Sequence, residues 1–143
     1  MKEIKAKTVY LEEYDVNVNC YLTYAQIQQI VDGIMALKQV DGGDIWAARQ
    51  TNIDMGVLFH ATDIGAEKLE EIGHDALVTS GLIDEVDKCV KNAYEIYRAI
   101  EYTESTSRAI GQVLKEVAKN LNENTVQGLA KKAKKVMDNA SKK

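Results

Sequence analysis

Proline is absent from all 143 residues of this chain. The strongest helix breaker is thus missing from every position and glycine is left to punctuate, so long helices are permitted anywhere. Where they form is decided by apolar residues recurring every three or four positions. The strongest such run is Ile83, Val86, Val90, Ala93, Tyr97 and Ile100, which predicts a helix opening after the break at Ser80-Gly81. Ile110, Val113, Leu114, Val117 and Leu121 continue the pattern. The polar stretch Thr103 to Ser107 leaves residues 82–121 readable as one helix or as two.

Four further helices are expected. Thr23 and Gln26 have the spacing of a capping box, and Ile27, Ile30, Val31 and Ile34 follow as one stripe, with Asp41-Gly42-Gly43-Asp44 as stop and turn. A second helix is expected over about Asn52 to Thr62, and a third from Ala66 to Ser80 with Leu69, Ile72, Ala76 and Leu77 on one side. A last one is suggested by Thr125 as cap and by Val126, Leu129, Ala130, Ala133 and Met137. Only the N-terminus has strand character, because Val16, Val18, Cys20 and Leu22 alternate with polar or amphipathic neighbours, and Thr8-Val9-Tyr10-Leu11 supplies a partner turned back through Glu12 to Asp15. A lone hairpin is marginal unless helices cover it.

The fold expected is therefore an α-rich α+β domain, a bundle of five or six helices with a short N-terminal strand or hairpin. With 45% apolar residues the chain can fill one core. It reads as a single domain over 1–143, divided into a β element (1–22), a helical core (23–121) and a basic C-terminal helix and tail (122–143). No apolar run approaches the roughly 20 residues of a membrane span, and the charged N-terminus has no signal-peptide pattern, so a cytosolic setting is expected. Cys20 and Cys89 form no CxxC pair and read as reduced, structural thiols.

Catalytic machinery is not visible in the residue pattern: there is no G-x-S-x-G, no Walker loop and no G-x-G-x-x-G. A metal site would have to combine His60 or His74 with Asp63 or Glu70 at spacings unlike known ligand motifs, so neither metal nor cofactor is expected. Asp84, Glu85 and Asp87 suit the start of a helix, where negative charge offsets the helix dipole. The reading is of a non-enzymatic protein.

Charge is segregated. Lys115 to Lys143 holds eight Lys against three acidic residues, whereas Asp54 to Glu104 holds twelve acidic and four basic ones. Lys131, Lys132, Lys134 and Lys135 are candidate contacts for a phosphate backbone, although no aromatic residue is interleaved for base stacking, or at least equally for an acidic protein surface. Tyr10, Tyr14, Tyr21 and Tyr24 crowd the N-terminal region and make its β-edge a candidate assembly interface.

The order of elements carries a resemblance: a strand running into Tyr21-Leu22, a helix, Ile53-Asp54-Met55 through Thr62-Asp63-Ile64, then Ser80-Gly81-Leu82-Ile83 opening a long helix. Over about residues 16 to 114 this resembles small uncharacterised proteins, structural or assembly in type, of tailed bacteriophages and prophages of Gram-positive bacteria. The resemblance implies a capsid, neck or tail component, made in the host cytoplasm and then carried in the virion, whose partners are other phage structural proteins and further copies of itself. A different class of function, an inhibitor or regulator binding one host protein or nucleic acid, would use the acidic centre or the Lys-rich end.

Overall fold

The computed structural model describes residues 1–41 and 46–141. They form two compact units, Met1–Glu101 and Tyr102–Lys143. The first opens with the hairpin: β1 (Thr8–Leu11) pairs antiparallel with β2 (Val16–Asn19), Thr8 opposite Asn19 and Leu11 opposite Val16. The turn between them closes through bonds from the Tyr14 N–H to the Leu11 carbonyl and from Asp15 to Glu12, with Asp15 at a φ of 52°. Val16, Val18, Cys20 and Leu22 are buried while Asn17 and Asn19 face out, so the alternation seen in the sequence sets the buried face. A single bridge from Val18 to Thr62 ties β2 to the chain leaving the second helix.

Thr23 and Gln26 form the reciprocal capping box: the Gln26 N–H donates to Thr23 Oγ1 at 3.1 Å and the Thr23 N–H to Gln26 Oε1 at 2.9 Å. Helix α1 (Tyr24–Asp41) follows and buries its stripe of Ile27, Ile30, Val31 and Ile34. Helix α2 (Trp46–Ala61) starts before the expected Asn52 and packs Ile53, Val57, Leu58 and Ala61 inward. Gly56 allows α1 and α2 to meet closely, since a Cβ there would lie 2.7 Å from Ile30 Cγ1. The expected turn at Gly42-Gly43-Asp44 lies outside the described residues.

Two expected helices are broken. The one over Ala66 to Ser80 divides into α3 (Ala66–Ile72) and α4 (His74–Thr79), because Gly73 sits at φ 83°, ψ 151°, a conformation that needs glycine. The helix opening after Gly81 (φ 81°) stops early as α5 (Leu82–Cys89). Val90 turns extended and is buried, and the Lys91 N–H donates to the Cys20 carbonyl at 2.7 Å. Asn92 then clamps Leu22: its Oδ1 accepts the Leu22 N–H and its Nδ2 donates to the Leu22 carbonyl, both at 2.9 Å. Tertiary hydrogen bonds to the end of the hairpin thus override a continuous helical pattern.

Helix α6 runs from Tyr94 to Ser141. Ile96 and Ile100 close the core of the first unit. Thr103 to Ser107 is helical, and the separate last helix expected from Thr125 is instead a continuation of α6. With no proline and Gly111 and Gly128 as its glycines, nothing in the backbone chemistry stops it. Among the described residues the helices number six, with the hairpin as the one sheet.

Candidate functional site

Among the described residues of the first unit, Asp54 is the buried charged one, and its surroundings account for it. Gln50 Nε2 donates to Oδ1 at 3.1 Å from one turn earlier on α2, and His74 Nε2 meets Oδ2 at 2.9 Å from the start of α4. The sequence offers Glu70 or Asp63 beside His74 only for a metal site that it does not expect; the fold pairs His74 with Asp54, 20 positions earlier. His74 Nδ1 lies 4.0 Å from the exposed Asp75 carboxylate, so the imidazole is held between two acids. This couple joins α2 to α4 and keeps Asp54 satisfied. Among the described residues, no group of three or more His, Cys, Asp or Glu side chains is arranged to hold a metal ion.

Asp87, which the sequence places near a helix start, lies in α5 and lines an apolar recess with Ile53, Val57, Ala93, Tyr94 and Tyr97. Desolvation there, reinforced by the charges of Asp54 and Asp84, pushes its carboxyl up to about 6. Asp84 and Glu85 occupy the first turn of α5, as expected from the helix dipole. Cys20 is buried and Cys89 half-buried, both as free thiols, and burial and the neighbouring Cys20 push Cys89 up.

The four N-terminal tyrosines differ in their surroundings. Tyr10 is exposed on β1 and donates to Asp15 Oδ1 at 2.6 Å. Tyr14 is half-buried against the core and donates to the Ser80 carbonyl at 2.8 Å, tying the hairpin turn to the end of α4. Tyr21 and Tyr24 are exposed beyond β2 and at the start of α1. Tyr14 and Asp15 instead mark the rim of a cleft of about 630 Å³. Its floor is Val16, Leu77 and Leu82, and Ile64, Ile72 and Ala76 face it from the loop and from α3 and α4. Asp63 stands at its side, accepting from the Asn17 N–H at 3.1 Å and Asn17 Nδ2 at 2.8 Å, bonds that hold its carboxyl below the usual aspartate range. The sequence gives Ile72 and Ala76 to a helix stripe, and the break at Gly73 is what leaves them lining a cleft.

Lys131, Lys132, Lys134 and Lys135 are exposed along α6 in the second unit. Before them, Ile110, Val113, Leu114, Val117 and Leu121 are each about half exposed, between 47 and 62%. At 100° per residue they share one face roughly 100° wide, an apolar stripe that nothing in its own unit covers. Leu129, Val136 and Met137 are exposed further along. Comparison with protein-family models, with curated proteins and with solved structures finds no match for the chain.

Proposed function

We propose that this is a non-enzymatic assembly protein that works by repeated contacts between copies and with other structural proteins, as the phage and prophage proteins it resembles imply. The observation that carries the reading is the stripe Ile110, Val113, Leu114, Val117 and Leu121, which nothing in its own unit covers. Five large aliphatic side chains in register on about three turns of helix are costly to leave in water and are the pattern by which helices pair. Burying them against a partner would contribute on the order of 1 kcal/mol or more per side chain. The setting that fits is the bacterial cytoplasm during assembly, then the virion.

The test is light scattering on protein eluting from a sizing column, over a range of concentrations. A multimer that a Leu114→Glu, Val117→Glu double variant disperses is the expected result, together with the chain's presence in purified particles. A monomer at every concentration, in protein absent from particles, overturns the proposal.

A further inference from the structure

The apolar character of α6 changes face along its length. Taking 100° per residue, Leu129, Ala133, Val136, Met137 and Ala140 centre roughly 130° around the helix from the stripe of Ile110 to Leu121. The face that is apolar over 110–121 is occupied beyond it by Lys131, Lys132 and Lys135. A partner lying along the first stripe therefore meets charge if it continues straight. The last turns of α6 form an amphipathic helix of their own, with anchors at i, i+4, i+7 and i+8 (Leu129, Ala133, Val136, Met137) and lysines opposite, the layout of a helix that docks in a groove.

Charge selects the groove. Residues 102–143 hold nine Lys and Arg against four Asp and Glu, and residues 1–101 hold nine against eighteen. The first unit is thus the acidic partner that the basic end requires, and it carries the cleft of about 630 Å³ with an apolar floor. Asp15 and Asp63 stand at its rim, the latter kept ionised by Asn17, and Lys68, which also lines it, is paired with Glu71 at 3.3 Å. Apolar anchors flanked by lysines match an apolar floor flanked by carboxylates, with opposite charges also speeding encounter.

From this complementarity we infer that the end of α6 of one copy docks, over residues 127–141, in the hairpin–α3–α4 cleft of a second copy. The inference rests on the self-assembly proposed above and adds its direction. Tail into cleft is a heterologous contact, so it repeats head to tail and closes into a ring or extends as a filament.

The experiment places the photo-crosslinker p-benzoylphenylalanine at Val136, which is 68% exposed, in an equal mixture of ¹⁴N- and ¹⁵N-labelled full-length protein. Crosslinked peptides of mixed isotope joining 127–141 to 63–82 are expected. Their yield should drop about tenfold, the effect of roughly 1.4 kcal/mol, in K131E/K132E/K134E/K135E and in Ile72→Arg, both checked for unchanged circular dichroism. Mixing those two variants should recover mixed-isotope crosslinks, because one retains a working cleft and the other a working tail. Crosslinks confined to one isotope, or reaching the second copy's α6 rather than its cleft, overturn the inference. Multimers without tail-to-cleft crosslinks would sink it while leaving the assembly reading intact, whereas monomers throughout would end both.

Discussion

Replacing Asn92 by alanine should destabilise the first unit while improving local helix propensity. The wild-type side chain accepts from the Leu22 N–H and donates to the Leu22 carbonyl at 2.9 Å each, and Leu22 itself is 5% exposed. Truncation leaves both backbone groups without that partner at a part-buried site, at about 1–2 kcal/mol each, the lower half of the usual range because water reaches the site. Alanine returns about 0.5 kcal/mol of propensity if α5 and α6 join across the gap. The net expectation is a loss of about 2–3 kcal/mol, or roughly 8–12 °C in Tm at about 4 °C per kcal/mol for a chain of this size. Urea unfolding followed at 222 nm measures it, with the m-value required to stay constant. A loss under about 0.5 kcal/mol would refute the claim that this clamp helps to hold the break between α5 and α6.

Gly56→Ala forces a methyl to within 2.7 Å of Ile30 Cγ1, so despite better helix propensity it should cost about 1–2 kcal/mol in thermal or urea melts. His74→Ala removes the 2.9 Å partner of buried Asp54 and should cost about 1–3 kcal/mol. Adding Asp54→Asn should cost much less than its separate effect, a coupling that a double-mutant cycle reads directly. Asp87 has a folded-state pKa of about 6, above that of an unfolded aspartate, so the fold holds this proton more tightly. Stability from it is present at low pH and is lost as pH rises through about 4 to 6. Asp87→Asn should therefore exceed wild type at neutral pH by up to about 1 kcal/mol, discounted for the residue's exposure, with the gap closing toward pH 4.

The elements whose formation is governed by neighbours in sequence were legible. The hairpin follows from alternation at Val16, Val18, Cys20 and Leu22, and α1 from a capping box closed within four residues. The breaks were not, for two different reasons. Gly73 looks like any glycine inside a helical pattern until its φ of 83° is known. The stop at Val90 depends on Cys20 and Leu22, some 70 residues away, and no local window contains them. The same non-local bonding decides the polar site, since His74 chooses Asp54 across two helices over the nearer Glu70. Ile110 to Leu121 were visible as a helical stripe, but periodicity reports that a face is apolar and not whether anything covers it.

The change of face along α6 makes its length a matter of phase. One residue inserted between Leu121 and Leu129 would swing everything beyond it by about 100° relative to the first stripe, as a gear slips a tooth. Insertions of seven or eleven residues would return it to within about 20°, lengthening the reach by about 10 or 16 Å. Variants of this tail that still present both faces in the same relation should accordingly differ in length by such steps, so the helix acts as a spacer adjustable in quanta rather than continuously.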